Sequence, residues 1–183
     1  MIVLKDRFSC HKVTQQDLPL IHDWLKRPHI AEWIHGKGLQ NTLDGLQEAL
    51  RGEAEGIQYW IAKLDEQPLA FLISSDVEHG EPSLEKVPLD GNRIVSLDIF
   101  IGALNMTGKG LGTKLIADFL LTQFPDATDF VIDPEATNAR AVHVYEKVGF
   151  RKFDEFIAPW HPVPHYRMHV SRKNLATGLH LHF

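Results

Sequence analysis

A mixed α+β fold on a largely antiparallel central sheet is what this sequence predicts, from three observations. Two runs rich in β-branched and aromatic residues, YWIAKLD and PLAFLISSDV, stand two polar residues apart and read as a hairpin. The run RIVSLDIFIG reads as a central strand with Asp98 in its middle. Directly after it, MTGKGLGTKLI packs three glycines into five positions and opens a helix-periodic stretch.

The remaining elements follow in order. FSCHKVT, from Phe8, alternates weakly and reads as a first strand. Thr14 or Asp17 can cap a helix through DLPLIHDWLKR, where Leu18, Ile21 and Leu25 share a face and Pro19 is tolerable only in the first turn. PHIAEWIHGKG breaks that helix, and TLDGLQEALRG forms the next with Thr42 as its cap. EHGEPSLEKVPLDGN, polar and rich in Gly and Pro, is a long loop of the kind that often carries function. Beyond the glycines, Leu111, Leu115, Ile116 and Phe119 form one helical stripe ending before Pro125. DFVID is a strand, NARAVHVYEKV a helix closed by Gly149, and FRKFDEFIA and HYRMHVSR are the last strands.

Composition narrows the function. A chain of 183 residues suits one domain, 1–183, and 44% hydrophobic with 23% charged residues is ordinary globular usage. A formal net charge of -5 argues against nucleic acid and suits a cationic small molecule. No apolar run approaches the roughly 20 residues of a membrane span, and the N-terminus is charged where a signal peptide would be apolar, so a cytoplasmic protein is expected. Cys10 is the only cysteine and reads as a small buried hydrophobe. His161, His165 and His169 share one face of an extended strand, but Pro162 and Pro164 exclude a helical metal face and no carboxylate completes a zinc pattern. No metal is expected, although a histidine here could touch a substrate.

The glycines point to a phosphate. A helix N-terminus presents unpaired N–H groups and a partial positive charge, and Gly108, Gly110 and Gly112 let a pyrophosphate approach that backbone. The spacing lacks GxxxxGK followed by Ser or Thr, and it does not follow the first strand of a parallel unit as a dinucleotide fingerprint would. TGKGLG, 107–112, resembles instead the acetyl-CoA loop of the Gcn5-related N-acetyltransferases, with Thr107 where that family has Gln or Arg. DPEATNARAVHVYEKVGF, 133–150, is similar to the family's later coenzyme A motif.

The resemblance implies a sheet splayed between its fourth and fifth strands to admit acetyl-CoA. It implies that Ile99, Phe100 and Ile101 pair with the pantetheine arm, and that Thr107, Gly108, Lys109, Gly110, Leu111, Gly112 and Thr113 hold the pyrophosphate. Asn138, Ala141 and Lys147 become cofactor contacts, and Tyr145 sits near the thioester sulfur as proton donor. Asp98 is the candidate to receive the amine proton, directly or through water. An ordinary aspartate near about 3.9 is a weak match for an amine near about 10, whereas a phenol near about 10 and a thiol near about 8.5 are roughly balanced. With Cys10 outside both motifs, direct transfer in a ternary complex is expected.

Within the family the chain resembles the aminoglycoside 6′-N-acetyltransferases over most of 17–150. Glu32, Trp33, Trp60, Asp76 and Asp98 are the candidate acceptor contacts, and Glu78, Glu81, Glu85 and Asp90 add negative charge in the long loop. Two departures stand in the acceptor region: Ile34 replaces the second residue of a Trp-Trp pair, and the long loop lacks tryptophan. The rivals are a siderophore (hydroxylysine) or polyamine N-acyltransferase and a non-catalytic acyl-CoA sensor; the presence of both Asp98 and Tyr145 counts against the sensor. A monomer or homodimer is expected.

Overall fold

The computed structural model describes residues 8–106 and 108–175. Seven strands form one sheet in the order β1-β2-β3-β4-β5-β7-β6. β1 (Phe8–Lys12), β2 (Ile57–Leu64), β3 (Gln67–Val77) and β4 (Ile94–Ile101) run antiparallel one to the next. β5 (Asp129–Ile132) lies parallel to β4, and the hairpin of β6 (Arg151–Ile157) and β7 (Pro164–Ser171) completes the far side. The β2–β3 hairpin turns on Asp65 and Glu66, both with positive φ, the geometry whose twist matches the flanking strands.

The sheet splays between β4 and β5, as expected. The two strands pair only through Ile94↔Asp129, Val95↔Phe130 and Ser96↔Val131. Beyond that, Leu97 to Ile101 stay bonded to β3 and, among the described residues, face no strand on the other side. The chain after β5 explains the opening. Pro134 cannot donate to a ladder, and this segment turns toward β7: Tyr166 N donates to Pro134 O at 2.9 Å and Ala136 N donates to Pro164 O at 2.8 Å.

Strand alternation sorts the core into two faces. Trp60, Ala62, Leu72, Val95, Leu97 and Phe130 pack on α4 (Leu111–Gln123) and α5 (Ala139–Val148). Tyr59, Ile61, Phe71 and Ile73 pack on α1 (Leu18–Leu25), α2 (Pro28–Ala31) and α3 (Gly36–Leu50). The loop 78–92 covers the rest of this second face, with Leu84 and Val87 against Ile94 and Val131. Its end is tied to β5. The buried carboxylate of Asp129 accepts from the N–H groups of Asp90 and Gly91 and lies 2.7 Å from His169 Nε2. Burial alone would raise this carboxyl, but those donors hold it below the ordinary range.

One boundary differs from the sequence expectation. α3 begins at Gly36, so Thr42 lies inside it and its hydroxyl donates back to Gly38 O at 3.1 Å instead of capping. The reason is the stripe Leu39, Leu43, Leu46 and Leu50, which carries the apolar face one turn further toward the N-terminus. No helix among the described residues is long and apolar enough to cross a membrane.

α1 and α2 are locked onto the end of β4. Arg27 Nη1 donates to Gly102 O at 2.7 Å, His29 Nε2 lies 2.9 Å from Ile101 O, and Trp24 packs flat over Gly102 so closely that any Cβ there would overlap the indole. Gly102→Ala is expected to cost about 1–3 kcal/mol through overpacking, read as a lowered urea midpoint, with a smaller cost in a Trp24→Leu background.

Candidate active site

The splay between β4 and β5 opens into a cleft of about 790 Å³. One half is built by the glycine loop, the start of α4 and one face of α5. Gly108 and Gly110 hold φ of +77° and +73°, the left-handed region, and the space beside both is clear of protein. They turn the chain so that the first N–H groups of α4, at Leu111, Gly112 and Thr113, have no partner within the helix. α5 runs alongside, Val144 lying 3.6 Å from where a Cβ on Gly112 would stand.

The expected cofactor residues gather here. Ile99, Phe100, Ile101, Gly108, Gly110, Leu111, Gly112, Thr113, Asn138, Ala141 and Lys147 all line the cleft. Lys109 is not among its lining residues, and Thr107 lies outside the described residues. Asn138 is also the N-cap of α5, its Oδ1 accepting from Ala141 N at 3.1 Å. Arg140 and His143 join Lys147 on the same wall. Sequence reasoning passed over both, although their spacing from Lys147 on a helix was the available signal.

The other half is walled by the segment between α2 and α3 and by the loop between β6 and β7. Glu32 and Trp33 line it as expected, two of the three candidate histidines, His161 and His165, line it as well, and His29, His35, Glu135 and Trp160 are additions. Trp60 is not there. Strand alternation turns it to the opposite face, where it packs on Phe119 and Phe124 and donates from its indole to Ser74 Oγ at 2.9 Å. Asp76 is not there either: it stands at the closed end of the splay opposite Val95, 3.7 Å from Arg93. The acidic loop 78–92 likewise contributes no residue to the cleft. The three histidines do not share a strand face: His161 lies in the loop before β7, and it and His165 reach the cleft while His169 is taken by Asp129. No group of three or more metal-binding side chains exists among the described residues.

Comparison with known proteins fits this architecture. Residues 13–157 match the acetyltransferase (GNAT) domain. The chain belongs to the GNAT acetyltransferase family. It is 32% identical to an aminoglycoside N(6′)-acetyltransferase type 1 of Klebsiella pneumoniae over 153 residues, 80% of this chain and 75% of that protein. A solved aminoglycoside N(6′)-acetyltransferase from Legionella pneumophila subsp. pneumophila str. Philadelphia 1 superposes with a TM-score of 0.85 at 40% identity, covering 96% of this chain and 98% of that one. AAC(6′)-Ib, solved with ribostamycin and coenzyme A, superposes with a TM-score of 0.73 at 30% identity, over 93% of this chain and 97% of its own.

In this acetyltransferase Asp98 and Tyr145 come from opposite faces of the sheet and both line the cleft. Asp98 has the parity of Phe100 and stands across from Ile73, on the α1–α3 side, whereas Tyr145 belongs to the α4–α5 side. Asp98 is open to the cleft, yet protein surrounds it at longer range. Burial, and then the negative charge of Asp133, raise its carboxyl to about 6. Burial and the charge of Asp98 push the Tyr145 phenol up as well, so it holds its proton more tightly than the balanced exchange expected from an ordinary phenol. Asp133 itself is raised by burial against the pull of Arg167 and His165, and its Oδ1 is buried without a hydrogen-bond partner. Cys10 stays outside the site, its half-buried thiol pushed up to about 11 by burial and then by Asp118.

The raised Asp98 carboxyl sets a stability signature. Its charged form is disfavoured in the fold, so its cost is present above about 6 and fades as pH falls toward the unfolded value. Asp98→Asn is therefore expected to melt higher than the parent at pH 8, with the difference shrinking toward pH 4 in paired thermal melts.

Proposed function

We propose that this acetyltransferase moves the acetyl group of acetyl-CoA onto the 6′-amine of an aminoglycoside, by direct transfer in a ternary complex. The observation that carries the reading is one cleft with two chemically distinct halves. The phosphate-seeking half has glycine-turned N–H groups with Arg140 and Lys147; the other presents Glu32, Asp98 and Glu135 and, among the described residues, is lined by no lysine or arginine. The relatives named as aminoglycoside acetyltransferases, two of them similar over nearly the whole chain, support the same assignment.

Acetyl-CoA supplies the activated acetyl carbon; the residues supply grip, orientation and proton management. The N–H groups at Leu111, Gly112 and Thr113 hold the pyrophosphate, with Gly108 and Gly110 shaping the cradle. Arg140, His143 and Lys147 add positive charge along α5. The edge of β4 left open by the splay, at Ile99, Phe100 and Ile101, bonds the pantetheine arm as a strand would, and Asn138 and Ala141 flank it. That fixed geometry is worth up to about 7–11 kcal/mol of barrier.

Glu32 and Trp33 steer the cationic acceptor and Asp98 orients its amine. A raised carboxyl at Asp98 is a better proton acceptor than an ordinary aspartate, since a base works best with a pKa near the working pH. Freeing an amine of pKa near 10 at pH 7 costs about 4 kcal/mol, at about 1.36 kcal/mol per unit. Tyr145, firmly protonated, donates to the leaving sulfur. The enzyme acts as one domain, 1–183, monomeric or homodimeric. It works in the cytoplasm on a small-molecule amine and not on nucleic acid or a membrane, consistent with its net charge of -5.

Thiol release from acetyl-CoA, measured with aminoglycosides bearing or lacking a free 6′-amine and with spermidine and hydroxylysine, tests the reading. Among the aminoglycosides, turnover confined to those with a free 6′-amine supports it; turnover on hydroxylysine or spermidine alone, or on nothing, sinks it. Asp98→Asn is expected to lower kcat by about 10²–10⁴-fold. The parent's kcat falls as pH drops through about 6, where Asp98 takes up its proton, and the variant's profile lacks that limb. Arg140→Ala with Lys147→Ala is expected to raise KM for acetyl-CoA on the order of tenfold with little change in kcat.

A further inference from the structure

The acceptor end of the cleft is closed by two loops that meet from opposite sides. One is the segment from Trp33 to the first turn of α3. The other is residues 158–163 between β6 and β7. His35 stands edge-on to His161 with ring centres 4.7 Å apart, and Trp160 comes to 3.5 Å of where a Cβ on Gly38 would stand. The β6–β7 loop is stiff. Pro159 and Pro162 fix its φ angles, Ala158 is fully buried, and its own backbone bonds run from His161 N to Ala158 O and from Val163 N to His161 O. Edge contacts to Phe156 and His165 seat the Trp160 indole, and yet 39% of it is exposed. His161 is also in edge contact with His165, and its Nε2 lies 3.5 Å from Glu135 Oε2.

A large apolar ring held by a rigid loop and left open to a cleft is a preorganised stacking surface. We propose that Trp160 and His161 select the acceptor: the indole takes the apolar face of a saturated ring bearing the amine, and His161, steadied by Glu135, meets that ring's hydroxyl groups. This rests on the aminoglycoside reading and sharpens it. Glu32, Asp98 and Glu135 attract any polyamine alike, so charge alone cannot tell a ring-borne amine from a linear one. A linear chain has no ring face to stack and must give up the freedom of every bond it fixes. The Trp160–His161 corner supplies the difference.

The test is the ratio of kcat/KM for an aminoglycoside with a free 6′-amine to that for spermidine, in the parent, Trp160→Ala, Trp160→Phe and His161→Ala. Calorimetric affinity for acetyl-CoA identifies the folded variants. Trp160→Ala is expected to lower the aminoglycoside value on the order of tenfold, mainly through KM, with spermidine changed less than about twofold and Trp160→Phe keeping most of the parent value. His161→Ala lowers the same ratio. If Trp160→Ala fails to bind acetyl-CoA, Trp160→Leu, which keeps the bulk and loses the ring, decides by the same ratio. A parent active on aminoglycosides whose ratio Trp160→Ala leaves unchanged overturns this inference alone. A parent that acetylates only linear amines overturns the aminoglycoside reading, and this inference with it.

Discussion

Everything in this site depends on β5 being short. Four residues pair in the sheet, only three of them against β4, and then Pro134 removes a donor and the chain follows β7 instead. A longer β5 would satisfy the edge of β4 and close the sheet. Because it does not, Leu97 to Ile101 keep an edge with strand geometry and no strand among the described residues to meet it. An unpaired backbone edge is usually a liability; here it lies open along the cleft. The same opening lets Asp98 on one face and Tyr145 on the other line a single cavity, which a continuous sheet would forbid.

The electrostatics follow from that placement. The charge of Asp133 raises the cost of charging Asp98, while Tyr145 is pushed to keep its proton. Asp133 is itself raised by burial, and its Oδ1 is buried without a hydrogen-bond partner. The positive groups Arg140 and Lys147 stand on α5 in the other half. One cleft thus separates an end suited to phosphates from an end suited to an ammonium group.

Much of this could be read from the chain. The hairpin, the central strand, the glycine loop and the α5 motif each carry a local pattern strong enough to fix their place, and Asp98 and Tyr145 stood inside them. The acceptor contacts were harder because they come from segments without periodicity. Trp60 looked available until strand alternation turned it toward Phe119, and Asp76 looked available until register placed it at the closed end of the splay. The acidic loop suggested a polycation site, but Leu84 and Val87 anchor it on Ile94 and Val131, away from the cleft. Trp160 and Glu135 went unassigned, and His161 was only one of three candidate histidines, because only the return of β7 beside the segment after β5 brings them together.

The bond set around Asp129 bears on the order in which the molecule assembles. The carboxylate gathers Asp90 and Gly91 from 39 and 38 residues before it and His169 from 40 residues after it. None of these partners is local, so ring closure must be paid in chain entropy on both sides before any of the bonds can form. The two closures are of nearly equal length, so chain entropy favours neither arm over the other. One carboxylate thereby ties the loop 78–92 and β7 to the same point of β5, and its burial depends on both.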